Sequence, residues 1–367
     1  MTAKSVLVMD ERSGKIVFER NAGVKRFPAS TTKILTAMLL LEHCTPDELI
    51  YAPKDVENVP PSSMHLMPGE AVSASDMLHA LLIRSANDGA YAVAMHIGGS
   101  VSNFAKMMNA KAKALGCTRT HFTNPHGLKD PKHVSTARDL AIIAREAMKN
   151  PVFRAAANTR SHVISRTMNQ DDLWMVTKNK ILKYDPTADG IKTGYTAPAG
   201  YCYVGSATRN GSRFITVILG SKRDWPTEQK ALMSWAFRNY KRSCLEEPGQ
   251  VEHEVPVSGA YAETIKAVVR EPVFYAHAKT VSPSVRLSVI SKPDIQLPIS
   301  AGMEVGKAIY TDGKGWKFET PLFAVEQKHS ISEAAMVSSS SVGVIFACTL
   351  GGGAFLMRRK AKNIFSN

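Results

Sequence analysis

The sequence has no cysteine framework. Its five cysteines, Cys44, Cys117, Cys202, Cys244 and Cys348, form no C-x-x-C pair and keep no regular spacing, and the odd count argues against a disulfide scaffold. They read as small buried hydrophobes. Metal-ligand spacing is missing too. His121, His126 and His133 gather around one loop, but no H-E-x-x-H or related pattern occurs, so no metal and no cofactor is expected and His126 reads as structural. There is no glycine-rich phosphate loop and no basic helix with interleaved aromatics, so nucleic acid is not an expected partner despite a formal charge of +14. The first ten residues carry no charged stretch followed by an apolar run, so no signal peptide is visible. Ser5–Met9 reads as a strand instead.

Long apolar runs are also scarce, with one exception near the end. After Ser338–Ser341 come 16 apolar or small residues, Val342–Met357, closed by Arg358, Arg359, Lys360 and Lys362. With the serines the run reaches the length of a minimal membrane span, and the basic stop favours the cytoplasmic side. Residues 1 to about 335 are then expected outside the cytoplasm. Gly351–Gly353 lowers helix propensity without excluding a membrane helix.

What is present is ordinary globular composition. The 367 residues are 44% apolar and 21% charged, enough for two domains and a tail. Basic residues are spread along the chain, which suits a protein lying against an anionic surface. Ser5–Met9, a turn at Asp10–Gly14 and Ile16–Phe18 form an expected β-hairpin. Ser30–His43 is apolar on nearly every side and reads as a buried helix. Helices are also expected at Ser75–Ile83, Ala86–His96, Val101–Leu115, Thr136–Met148 and Pro226–Tyr240. Strands are expected at Gly190–Tyr195, Gly200–Ala207 and Phe214–Gly220. Beyond Leu245, short runs at Glu252–Val257, Thr264–Tyr275, Val285–Ile290, Ile295–Ile299 and Lys317–Val325 suggest a small all-β domain. Trp174, Trp225 and Trp235 read as core residues, and Asp139 and Glu146 as solvated or capping residues on a helix.

Three short motifs carry the chemistry. Ser30-Thr-Thr-Lys33 opens a buried helix, so hydroxyl and amine three residues apart share one face. The helix mouth favours developing negative charge at Ser30. Lys33 can act as a base at neutral pH only if burial or a second cation depresses it, and Lys192 is a candidate for that cation. Ser85-Ala-Asn87 lies in the break between two helices, and Lys192-Thr-Gly194 lies on an expected strand. Taken singly, each has an ordinary reading: Ser30 and Ser85 as helix caps, Lys33 as a solvated residue, Gly194 as a turn. Together, in this order and on these elements, the three motifs make a strong combined signal.

This set resembles the motifs of class A β-lactamases and penicillin-binding proteins. More specifically, the chain is similar to the serine-type D-alanyl-D-alanine carboxypeptidases of the peptidase S11 family, the low-molecular-weight penicillin-binding proteins. The likeness rests on Pro28-Ala-Ser-Thr-Thr-Lys33, Leu82-Ile-Arg-Ser-Ala-Asn-Asp-Gly-Ala90, Asp189-Gly-Ile-Lys-Thr-Gly-Tyr-Thr196, Phe122-Thr-Asn-Pro-His-Gly-Leu128 and Ser135-Thr-Ala-Arg-Asp-Leu140. It implies an α/β (α+β) fold, an antiparallel sheet flanked by helices with an inserted helical subdomain, followed by a small all-β domain. The expected boundaries are 1–243 for the catalytic domain, 244–326 for the β-rich domain, 327–341 for a linker and 342–367 for a membrane anchor with a basic tail.

The resemblance also implies roles. Ser30 is the expected nucleophile, Lys33 its base, Ser85 the proton donor to the leaving amine, and Asn87 the residue that orients Lys33 and holds the substrate amide. Lys192 and Thr193 are expected to bind the terminal carboxylate, and Gly194 to let the substrate lie along the strand. The N–H groups of Ser30 and Tyr195 would form the oxyanion hole, with Lys178 a further basic group. The expected partners are peptidoglycan stem peptides, β-lactam antibiotics as covalent inhibitors, and a bacterial cytoplasmic membrane bearing the catalytic part on its outer side. A β-lactamase is disfavoured because Thr118–Lys132 contains no glutamate to serve as a deacylating base. A D,D-endopeptidase shares the same motifs, and a non-catalytic peptidoglycan-binding scaffold would not require Ser30, Lys33, Ser85 and Lys192 together.

Overall fold

The computed structural model describes residues 1–222, 225–257, 264–293 and 295–329. The chain divides into two compact units: Met1–Leu245 with Pro272–Arg286 and Thr311–Phe318, and Glu246–Glu271 with Leu287–Tyr310 and the chain from Glu319 onward.

The first unit is organised by a five-stranded antiparallel sheet. Its strands run, edge to edge, Ile16–Arg20, Ser5–Asp10, Ser212–Ser221, Gly200–Arg209 and Ala188–Thr196. The central strands are buried over most of their length because both faces are covered. In Ser5–Asp10, Leu7 and Met9 enter one core while Val6 and Val8 enter the other, the two-residue alternation of a pleated strand. One face packs on the helical block and the other on the helix Trp225–Asn239, through Trp225, Leu232 and Met233. The helical block is inserted between the second and third strands in sequence. Its central helix, Lys33–His43, is buried from Lys33 through Leu40, as its apolar circumference requires. Around it lie Ala74–His79, Asn87–Gly98, Val101–Ala114 and Ala137–Ala147.

Several expectations are corrected. The nucleophile segment is not one helix: Ala29–Thr32 forms a 3-10 turn and the α-helix begins at Lys33. The helix expected over Ser75–Ile83 changes to π geometry over Ala80–Arg84 and ends on Ser85 in the left-handed region, at φ 68°. Sequence pattern also missed the helix Pro151–Asn158, entered through Asn150, whose carboxamide caps Val152 and Phe153. Trp225 is buried, but Trp174 is 60% exposed and Trp235 37%. Trp174 lies on a two-stranded hairpin, opposite Val163, with an outer face that solvent reaches. Cys117 and Cys202 are buried as expected, whereas Cys44 is part-exposed and Cys244 exposed.

The second unit carries an antiparallel sheet in the order His253–Pro256, Thr264–Val268, Lys317–Ala324, Glu304–Thr311, Arg286–Ser291. The expected strand Thr264–Tyr275 is two strands, Thr264–Val268 and Val273–Ala278, interrupted around Pro272. The latter pairs with Tyr240–Glu246 rather than joining this sheet. Ile295–Ile299 is not a strand; Ile299 only bridges to Lys328. Glu304–Thr311 was not foreseen. Among the described residues no helix is long and apolar enough to cross a membrane. The expected anchor, 342–367, and nearly all of the linker 327–341 lie outside the described residues.

One buried ion pair pins two loops of the first unit. Arg166 donates to Glu70 through Nε at 2.6 Å and Nη2 at 2.8 Å, and to the carbonyls of Met64, His65 and Asp172 at 2.8–3.0 Å. Both side chains are fully buried. Removing one partner strands a charge in the interior, which typically costs about 3–5 kcal/mol. Arg166→Ala is therefore expected to destabilise the first unit by that amount in a denaturant titration. A loss under about 1 kcal/mol would mean that the pair does not hold these loops.

Candidate active site

Ser30 is presented by a turn built under constraint. Ala29 before it has φ 48°, left-handed for a residue with a side chain. The segment Phe122–Leu128 presses against this turn. Gly127 has φ 84°, and a Cβ there would lie 1.9 Å from the carbonyl oxygen of Ala29. Only glycine fits both the space and the backbone angle. The contact is tied at three further points. Thr36 Oγ1 donates to the Pro125 carbonyl at 2.6 Å, and Thr32 Oγ1 donates to Ala29 at 2.8 Å. His133 Nδ1 accepts from the Thr123 amide at 3.0 Å, so its Nε2 carries the proton donated to Thr32 Oγ1 at 2.9 Å. Burial pushes His133 down to about 4 and His126 down to about 3, so both are neutral. His121 joins the backbone of this segment in a ladder with Val134.

Lys33 is wholly buried one turn on from Ser30. Its Nζ lies 3.1 Å from Ser30 Oγ, 2.6 Å from Asn87 Oδ1 and 2.9 Å from the His126 carbonyl oxygen. Burial, then the nearby Lys192 and Lys178 charges, push the amine well below the ordinary lysine range, against a smaller opposing pull from Asp88. A neutral amine has two N–H groups and one lone pair. When the amine is neutral, Asn87 Oδ1 and the His126 carbonyl take both hydrogens and its lone pair is left for Ser30 Oγ–H; when it is charged, Ser30 Oγ accepts the third hydrogen. The arrangement is that of a hydroxyl poised to give its proton to nitrogen.

The second and third motifs close the site from the other side. The left-handed twist at Ser85 re-aims the chain so that Ser85 and Asn87 both reach it. Lys192 Nζ, 1% exposed, donates to Ser85 Oγ at 2.9 Å and to the Thr193 carbonyl at 2.9 Å. Burial, then the Lys178 charge, lower Lys192 to about 7. Lys178 itself donates to Ser62 Oγ at 2.6 Å. Gly194 on the sheet's edge strand faces the nucleophile turn so closely that a Cβ would lie 2.9 Å from Ser30 N. Tyr195 follows, 57% exposed, its ring against Tyr201. The structure therefore brings together Ser30, Lys33, Ser85, Asn87, Lys192, Thr193, Gly194, Tyr195 and Lys178.

Sequence reasoning missed what holds these groups. Asp88 is buried and accepts from Ser63 Oγ, the amides of Met64 and Leu66, and Gly89 N. It fixes the Pro60–Leu66 loop, which receives Asn87 Nδ2 on the Pro60 carbonyl at 2.8 Å and Asn87 N on the Ser62 carbonyl at 2.7 Å. Arg84 ties Ser63 to Asp172. Asp139 is not solvated: it is buried and receives Arg119 N and Thr120 Oγ1, beside the cap that Thr136 makes. Glu146 pairs with Lys149 at the surface, as expected. The only cue to these roles was a carboxylate directly after the S-x-N motif.

Comparison with known proteins agrees with this geometry. A family profile described as D-alanyl-D-alanine carboxypeptidase matches residues 1–223, and one described as penicillin-binding protein 5, C-terminal domain, matches residues 240–329. The chain is 31% identical over 334 residues to the D-alanyl-D-alanine carboxypeptidase DacF of Bacillus subtilis (strain 168), covering 88% of this chain and 85% of that protein. It is 32% identical over 332 residues to the DacA carboxypeptidase of Haemophilus influenzae, covering 86% and 82%. A crystal structure of penicillin binding protein 5 from Haemophilus influenzae superposes with a TM-score of 0.74 at 28% identity, over 90% of this chain and 98% of that one. By profile, by relatives and by fold, the chain belongs to the D-alanyl-D-alanine carboxypeptidase family.

Proposed function

We propose that the protein is a serine D,D-carboxypeptidase that releases the terminal D-alanine of peptidoglycan stem pentapeptides through an acyl-enzyme on Ser30. The observation that carries this reading is the buried Lys33 amine, lowered well below the ordinary lysine range by burial and held at 3.1 Å from Ser30 Oγ. Ser30 Oγ attacks the carbonyl carbon of the penultimate D-alanine while its proton passes to Lys33. The N–H groups of Ser30 and Tyr195 receive the oxyanion. The C–N bond then breaks, and Ser85 delivers a proton to the departing D-alanine amine. Water releases the acyl group and restores Ser30.

Lys192 and Thr193 take the free carboxylate, which is how an exopeptidase reads a chain end; Lys178 adds positive charge behind them. Asn87 orients Lys33, and its remaining N–H is available to the substrate amide. Gly194 leaves room for the substrate backbone along the edge strand. A β-lactam carbonyl would occupy the same position and leave a stable ester on Ser30. On the same reading, 1–243 forms the catalytic domain, 244–326 the β-rich domain, 327–341 a linker and 342–367 a membrane anchor with its basic tail. The catalytic part then works on the outer side of the bacterial cytoplasmic membrane.

Three outcomes test these assignments. Ser30→Ala is expected to abolish labelling by a fluorescent penicillin and to reduce D-alanine release from a pentapeptide by at least about 10³-fold; retained release would overturn the nucleophile. Carboxylate recognition needs charged Lys192, whereas proton abstraction needs neutral Lys33. Raising the pH discharges Lys192, so kcat/KM should fall on the alkaline side from about pH 7, and lowering it should protonate Lys33 and give an acid limb. Lys192→Arg should remove the alkaline limb, and a wild-type profile flat to about pH 10 would exclude Lys192 as the carboxylate's cation. Deleting residues 336–367 should move the protein from the membrane pellet to the soluble fraction; an unchanged distribution would refute the anchor.

A further inference from the structure

At the end of the central helix far from Ser30, three unlike donors converge. Cys44 is the C-cap of Lys33–His43, Glu48 sits in the turn that follows, and His96 lies in the last turn of Asn87–Gly98. One ligand atom from each, Cys44 Sγ, a Glu48 carboxylate oxygen and a His96 ring nitrogen, lies within 4.8 Å of the other two. His96 Nε2 is 2.7 Å from Glu48 Oε1. Glu48 Oε2 accepts from the Thr45 amide at 3.2 Å, and the Glu48 carbonyl accepts from Ala74 N at 2.8 Å, so the acid is held at both ends. Glu42, on the preceding turn, is engaged with Lys111.

We propose that Cys44, Glu48 and His96 form a binding site for a zinc-type divalent cation, with water as the fourth ligand. Thiolate, imidazole and carboxylate are the donor types zinc takes in tetrahedral sites, whereas calcium and magnesium require oxygen shells. Two independent features favour a cation here. Two helix C-termini meet at the cluster, each bringing partial negative charge from its last carbonyls. The charged group nearest the thiol is an acid. Binding replaces the Cys44 S–H bond with an S–metal bond and sends one proton to solvent.

The site would clamp together the distal ends of the two helices whose opposite ends carry Lys33 and Asn87. Those helices have 11 and 12 residues, which at 1.5 Å per residue sets the cation roughly 16 Å from the reacting hydroxyl. Its role is structural, and acylation by penicillin does not need it.

Cobalt(II) titration of the full chain tests the assignment, with penicillin labelling as a check that each variant is folded. The expected result is one Co(II) per chain with near-ultraviolet thiolate-to-metal absorption. That absorption should be absent in Cys44→Ser, and the affinity at least about tenfold weaker in His96→Ala and Glu48→Gln. Zinc should raise the melting temperature of the parent and not that of His96→Ala. The site is refuted if no thiolate absorption appears at millimolar Co(II), if the band survives in Cys44→Ser, or if His96→Ala binds like the parent.

Discussion

The structure is arranged around one amine in a place where water cannot reach. Lys33 is completely buried, its nitrogen meets three oxygen partners, and the loss of water lowers it well below the ordinary lysine range. A lysine normally keeps its charge by staying at the surface. Here an apolar helix, buried from Lys33 through Leu40, draws it inward. Burial of that helix is what lowers the amine. Desolvation supplies the larger part of the effect, and the neighbouring lysines add to it.

Three lysines in one small volume would ordinarily repel the fold apart. Each is placed so that its proton has somewhere to go: Lys33 on Asn87 and His126, Lys192 on Ser85 and Thr193, Lys178 on Ser62. Lys192, lowered only to about 7, exchanges between charged and neutral forms near physiological pH. The Lys192 charge also lowers Lys33, so the two amines titrate as a pair rather than separately. Backbone strain serves the same end. Ala29 and Ser85 occupy left-handed geometry that only a tightly packed surround can impose, and both lie beside groups that must be aimed.

Much of this was legible in the sequence because reacting groups cannot be exchanged for other residue types. Ser30, Lys33, Ser85, Asn87, Lys192 and Gly194 announced themselves by spacing, and the sheet strands by their apolar runs. What escaped was the support, because its parts are made by backbone carbonyls and by residues with ordinary local roles. The His126 carbonyl, which completes the shell of Lys33, has no sequence signature, and neither does the buried carboxylate of Asp88. The π turn at Ala80–Arg84 is equally invisible, since its apolar pattern continues that of the helix before it. Pairing failed where strands were judged one at a time. Val273–Ala278 has a fine strand sequence, but its partner, Tyr240–Glu246, lies outside the β-rich segment, and no local pattern reveals that.

The support reaches further than the first contacts. Lys178 stands just past the hairpin Ser161–Val163 and Trp174–Val176, its amide bonded to the Ile83 carbonyl in the π turn. The loop between those strands holds Arg166, whose guanidinium is buried against Glu70 and bonded to Met64 and His65. Met64 in turn donates its amide to Asp88, next to Asn87. One buried ion pair thus fixes both the hairpin that delivers the third positive charge and the loop that steadies the Lys33 partner. The base is tuned by burial at its own position, and the second shell decides whether its neighbours stay close enough to contribute. An interior charge pair that touches neither Ser30 nor Lys33 thus holds in place the loop that receives Asn87 and the hairpin that leads to Lys178.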